Sequence, residues 1–226
     1  MIPFIHLHVH TQYSLLDGQA SISSLVDKAI NDGMPALAIT DHGNMFGIKE
    51  FINYVNKVNG KTNDKVKELN AKLKEATEAG DNEQYAKLTA DIEATQKRIL
   101  KPIIGCEMYV AEKSLYEHVD KKDTGRHLIV LAKNEKGYHN LIKIVSQAWT
   151  EGFYSHPRTD KEQIAAHREG LIICSACLGG EIPRLLRRGD TEGADRAVKW
   201  WKDTFGEDYY IELQRHTKSR CASRAS

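Results

Sequence analysis

The sequence predicts an α/β fold of alternating strands and helices, and three observations carry that prediction. Six strand-like apolar segments alternate with helical patterns, a count that suits an open or closed β/α barrel better than a two-layer sandwich. The chain opens strand, helix, strand, the start of a parallel arrangement. Residues able to do chemistry collect where strands end, as in barrels whose sites are built from the loops that follow strands.

Residues 4–10 alternate around Ile5, Leu7 and Val9 and read as a first strand, after which Leu15, Leu16, Asp17 and Gly18 supply a turn. Residues 21–32 set Ile22, Leu25, Val26, Ala29 and Ile30 at helical spacing, with Ser21 or Ser23 as N-cap and Gly33 just past the end. Residues 35–40 are a second buried strand, ending at Asp41, His42 and Gly43. Residues 61–100 are rich in Lys, Glu, Ala and Asn. Their apolar positions, Val66, Leu69, Leu73 and Ala76, then Tyr85, Leu88, Ile92 and Ile99, break at residues 79–82, which predicts an inserted antiparallel helical hairpin with solvated faces. Further strands are expected at 102–111, 126–133, 170–176 and 209–214, and helices at 138–151, 181–188 and 191–205. Trp149, Trp200 and Trp201 read as packing residues. Arg184, Arg187 and Arg188 with Lys199 and Lys202 read as a solvated basic helix face rather than a DNA groove.

Composition bounds the answer. The 226 residues carry 32 Lys and Arg against 31 Asp and Glu, with 41% hydrophobic residues, as in a soluble folded chain of one large or two small domains. Apolar runs are strand-sized, so a membrane span is excluded, and the start at Met1 lacks a basic and apolar leader, so a cytoplasmic protein is expected. A net charge of +1 gives no global attraction to phosphate backbones, so any nucleic-acid contact must come from a local site. Four cysteines are too few for a disulfide scaffold and read as thiols or metal ligands.

The histidines are the strongest chemical signal. His6, His8 and His10 lie at i, i+2 and i+4, so on a strand all three project from one face. Neighbouring imidazoles can share divalent ions of the zinc or manganese kind, and a carboxylate such as Asp17 can bridge or complete a neighbouring ion. Asp41 and His42 at the next strand end offer two ligands, or one ligand and the carboxylate that orients it, while Gly43 lets the backbone turn.

Five blocks, HLHVHTQYSLLDG, ITDHGNMFG, IIGCEMYVA, RHLIVLAKNEKGYHNL and CSACLGGEIPRLL, occur in the order in which they resemble the PHP (polymerase and histidinol phosphatase) domain found at the N-terminus of bacterial DNA polymerase III alpha subunits. The resemblance spans nearly the whole chain, with residues 1–216 as the domain and 61–100 as an insertion. It implies a distorted (β/α)7 TIM-like barrel holding up to three zinc or manganese ions. By motif, His8, His10, Asp17, His42, Glu107, His127 and Cys177 match the family's metal ligands; beside them His6 reads as a supporting neighbour and Asp41 as the candidate catalytic carboxylate, either supporting the ligands or handling a proton. Cys174 then reads as buried, since a redox or zinc-ribbon role would need a helix N-terminus or a second CxxC pair.

The implied activity is hydrolysis of phosphodiesters as a 3′→5′ proofreading exonuclease on single-stranded DNA termini. The implied partners are the rest of a polymerase chain and a proofreading subunit of the replisome, with no membrane. Two other roles stay open: a scaffold that stabilises the polymerase, and a free-standing phosphomonoesterase of the histidinol phosphatase type. The family's last motif, an Asp-x-His after the ELQRH segment, is absent. Residues 217–226 therefore read as a truncated or non-native tail, with the closing strand missing and no polymerase activity expected of the chain.

Overall fold

The computed structural model describes residues 4–117 and 123–214. The tail at 217–226 lies outside them, as do His118 and His216. The chain divides into two compact units, Met1–Cys106 and Glu107–Ser226.

In the first unit, residues 4–10 run beside β1 (Ala36–Ile39) without forming the regular strand expected of them. Ala38 N donates to His6 O at 3.0 Å and Thr40 N to Val9 O at 2.8 Å. Three residues thus separate acceptors whose donors are two apart, and the chain bends at His8 to absorb the extra one. His8 and His10 nonetheless bring their ring centroids to 5.2 Å from one another, whereas His6 packs against Phe4. β1 is buried at every position, as its unbroken apolar run requires. Helix α1 (Ile22–Asn31) presents Ile22, Val26, Ala29 and Ile30 to the core, and Ser21 Oγ caps it by accepting from Ser24 N at 3.2 Å.

Helix α2 (Ile48–Ala79) starts well before residue 61, because Ile48, Phe51 and Val55 continue the apolar stripe at helical spacing and are all buried. It ends at Gly80 with φ 70°, and Asp81 then caps α3 (Asn82–Gln96) by accepting from Gln84 N at 3.0 Å. α2 and α3 pack on one another, burying Ala76, Leu88 and Ile92. Where the pair meets the sheet, the Asn59 side chain clamps Leu100, donating to its carbonyl at 2.8 Å and accepting from its N–H at 3.0 Å. β1 pairs in parallel with the first half of β2 (Lys101–Val110), Ala36 opposite Lys101 and Ile39 opposite Ile104.

The second unit takes up the end of β2 and adds β3 (Arg126–Ala132), α4 (Glu135–Thr150), β4 (Phe153–Tyr154), β5 (His156–Thr159), α5 (Lys161–Ala166), β6 (Leu171–Cys174), α6 (Glu181–Arg187), α7 (Thr191–Phe205) and β7 (Tyr209–Tyr210). The strand order is β4-β5-β2-β3-β6-β7. β2 with β5 and β6 with β7 are parallel, whereas β3 with β6 and β4 with β5 are antiparallel. The sheet is therefore mixed, and among the described residues it is open, with β4 and β7 at its ends. The distorted (β/α)7 barrel that the resemblance implies is thus not closed among the described residues, and the antiparallel pairs of β3 with β6 and β4 with β5 depart from its parallel order. The hairpin β4-β5 and helix α5 were not expected, and the strand predicted at 209–214 is reduced to two residues. Ile129, Leu141, Ile144, Ile164, Ile173 and Trp201 fill the core, while Trp149 is exposed and stacks on Phe153. No helix of the described residues is long and apolar enough to cross a membrane.

One charge is wholly buried here. Arg158, with no exposed surface, donates from Nη1 to Asp123 Oδ2 at 3.0 Å and to Asp123 O at 3.2 Å, and from Nη2 to Glu117 O at 2.9 Å. Removing one partner of a buried pair strands the other charge, which costs about 3–5 kcal/mol. Asp123→Ala is expected to lower the unfolding free energy by about that much in urea titrations. Adding Arg158→Met to it should recover part of the loss, because the stranded guanidinium is then gone.

Candidate metal centre

In the first unit the site grows from a buried carboxylate. Asp41, 2% exposed at the end of β1, accepts hydrogen bonds from Thr11 N at 2.7 Å, Thr11 Oγ1 at 2.8 Å and Ser14 Oγ at 2.6 Å. Ser14 Oγ in turn accepts from His42 N at 3.1 Å. The loop closes tightly on itself: Ser14 N donates to Thr11 O at 2.9 Å and Gly18 N to Ser14 O at 2.8 Å, with Leu16 held at φ 68°. A Cβ at Gly18 would lie 1.9 Å from Thr11 O, so only glycine closes this loop.

The closed loop sets Asp17 between two imidazoles. Its Oδ2 is 2.6 Å from His10 Nδ1 and 2.9 Å from His42 Nε2. The His10 and His42 rings lie 4.1 Å apart, and the half-buried His8 ring is 5.2 Å from His10. One ligand atom from each of His10, Asp17 and His42 lies within 4.8 Å of the others. Partial burial draws the Asp17 carboxyl upward, but the hydrogen bonds from His42 and His10 prevail and hold it below the ordinary carboxylate range. Two imidazoles and an ionised carboxylate are a donor set that suits a divalent cation.

Asp41, buried and hydrogen-bonded by Thr11 and Ser14, braces the loop, the supporting one of the two roles expected of it. His6 is exposed and packs edge-on against Phe4, with ring centroids 4.8 Å apart. Thr11 and Ser14 went unnoticed in the sequence. A threonine and a serine in a turn are too common to stand out.

In the second unit Glu107 on β2, 1% exposed, has Oε1 2.8 Å from His127 Nδ1 at the start of β3. Cys177 Sγ lies 3.5 Å from the same nitrogen and 3.8 Å from the same oxygen, and accepts from Gly179 N at 3.4 Å. The thiol follows Ala176, a non-glycine residue at φ 60°, a strained turn that presents Cys177 beyond β6. A Cβ on Gly179 would lie 2.8 Å from His127 Nδ1, so glycine here makes room for the ring. Burial would depress the His127 pKa, but the hydrogen bonds its ring makes to Cys177 and Glu107 outweigh it and raise it to about 9. Cys174 stays apart, its thiol pushed up to about 11 by burial, and no disulfide joins the described cysteines.

A family model of the PHP domain matches residues 6–216. The chain belongs to the PHP domain family. Among curated relatives of this PHP domain, it is 43% identical over 215 residues to DNA polymerase III subunit alpha of Borreliella burgdorferi, with 94% of this chain and 15% of that one covered. It is 40% identical over 216 residues to the subunit of Treponema pallidum, with 94% and 15% covered. To that of Thermus aquaticus it is 37% identical over 220 residues, with 95% and 15% covered. This chain therefore spans about 15% of the length of these relatives.

Two outcomes follow from the geometry. Gly18→Ala is expected to open the loop, and isothermal titration should then record zinc uptake weakened by about tenfold or more. The raised His127 pKa gives the metal-free PHP domain a stabilising contribution that is full below pH 6.5 and lost as pH rises through about 9. Chemical denaturation of chelator-treated protein across that window should show the decline, and His127→Gln should remove it.

Proposed function

We propose that this PHP domain is a metal-dependent phosphoesterase that hydrolyses phosphodiesters at the 3′ end of single-stranded DNA. The observation that carries the reading is the convergence of His10 and His42 on the exposed carboxylate of Asp17. In this reading His8, His10, Asp17 and His42 bind ions in the first unit, and Glu107, His127 and Cys177 bind in the second. A cysteine ligand favours zinc over manganese for the second set, since thiolate is a soft donor, while the first set suits either. A bound divalent ion supplies Lewis acidity towards a phosphoryl oxygen and an activated water near neutral pH.

The chain's own residues divide the remaining work. Asp17 orients the two imidazoles that flank it, and Asp41 keeps the 11–18 loop closed so that this orientation persists. Glu107 and Cys177 hold the proton on His127 until an ion displaces it. In the wider protein, the domain is proposed to work beside the remainder of a DNA polymerase III alpha chain in the bacterial cytoplasm, removing mispaired termini, with a separate proofreading subunit as a candidate partner. The similarity to alpha subunits over 94% of this chain supports that placement.

The test is elemental analysis of protein purified without chelator or metal-affinity resin, followed by cleavage of 3′-labelled single-stranded DNA. More than one equivalent of metal per chain and stepwise 3′ shortening are expected. The His8→Ala, His10→Ala variant should lose the cleavage and the metal of the first unit. Cleavage by that variant at the parent rate would sink the reading. Metal retained without cleavage of DNA or of a small phosphomonoester would favour a scaffold role.

A further inference from the structure

We infer that a cavity of the second unit, between β3, α5 and α6, is a binding site for a phosphate dianion, free or as the monoester of a mononucleotide. The cavity has a volume of about 310 Å³ and is lined by Arg126, Lys161, Arg184, Leu185, Arg188 and Trp201, and also by His127, which is assigned above to the metal centre. That size lies at the lower end of the roughly 300–1,000 Å³ typical of small-molecule sites.

The charge balance inside it is the argument. Of its four Arg and Lys side chains, two are already neutralised: Arg126 pairs with Glu112, and Lys161 Nζ lies 2.6 Å from Glu181 Oε1. Glu181 is held in turn by Trp201 Nε1 at 3.0 Å, so it is not free to swing towards another cation. Arg184 and Arg188, one helical turn apart, enter no ion pair among the described residues. Among the described residues neither guanidinium has a carboxylate at ion-pair distance, so the cavity offers two positive charges to an anion.

The cluster is electrostatically unfavourable when empty. Burial and the charge of Arg188, one turn away, lower the Arg184 pKa. An anion would relieve that repulsion. Guanidinium forks match the oxygens of phosphate better than they match halide or a single carboxylate. The apolar wall of Leu185 and Trp201 leaves room for an ester group beside the anion. These arginines were expected on a solvated helix face. Arg187 and Arg188 are both exposed, but Arg188 lines the cavity together with the half-buried Arg184, whereas Arg187 does not.

The site needs no metal and no hydrolysis, so it stands or falls apart from the function proposed above. The test is isothermal titration of the full chain in EDTA with inorganic phosphate, with a deoxynucleoside 5′-monophosphate and with the unphosphorylated nucleoside. Phosphate, the monophosphate or both should bind, and the nucleoside should not; which of the two binds more tightly identifies the source of the dianion. Arg184→Gln and Arg188→Gln should each weaken binding by about tenfold or more. Arg184→Lys, which keeps the charge and loses the fork, should fall between, and Arg187→Gln, which removes the same charge outside the cavity, should cost far less than Arg184→Gln. Circular dichroism checks that each variant is folded. No binding of either phosphate compound at millimolar concentration, or equal losses in Arg187→Gln and Arg184→Gln, would overturn the inference.

Discussion

The buried carboxylate of Asp41 is the constraint on which the first unit depends. A carboxylate at 2% exposure has to be saturated with hydrogen bonds, and the donors within reach are Thr11 and Ser14. Meeting that need pulls the 11–18 loop onto the end of β1. The same closure forces Leu16 to positive φ, requires glycine at position 18 and leaves Asp17 between His10 and His42. The residues that face solvent are thus placed by residues that never do.

The second unit solves a similar problem twice. Arg158 is fully buried and is satisfied by Asp123 and by the Glu117 carbonyl, which ties the segments before β3 to β5. Glu107 is nearly as buried, and its partner is the proton on His127, held also by Cys177. In both cases a charge is kept in a low-dielectric place only by an opposite charge at hydrogen-bonding distance. The consequences differ. Arg158 is locked into structure, whereas the proton on His127 can be exchanged for a cation. The Arg184 and Arg188 pair is a third case, in which like charges crowd one cavity without a carboxylate of their own.

Much of this was legible in the sequence because it is local. The cap at Ser21, the apolar stripe of α1, the unbroken apolar run of β1 and the break between α2 and α3 all follow from spacings within a few residues. Membership of the PHP domain family was legible for the same reason, since ordered blocks such as HLHVHTQYSLLDG and CLGGEIP are contiguous. The residue types able to ligate metal could likewise be named, because histidine, aspartate and cysteine at strand ends are visible one at a time.

What the tertiary structure alone decided depends on residues far apart in the chain. Strand direction was one such matter: β3 and β6 each look like a buried strand, and nothing in either says that they pair antiparallel. The irregular course of residues 4–10 was another, since the extra residue appears only against the donors of β1. The surroundings of Asp41 turned on partners 27 and 30 residues away, which make its carboxylate a brace for the 11–18 loop. Arg126 and Arg184, unremarkable separately, share a cavity only because β3 and α6 meet. A sequence determines which groups are present and what local shape each prefers. Burial and the company of distant charges determine what those groups can do, and both arise only when the chain has folded.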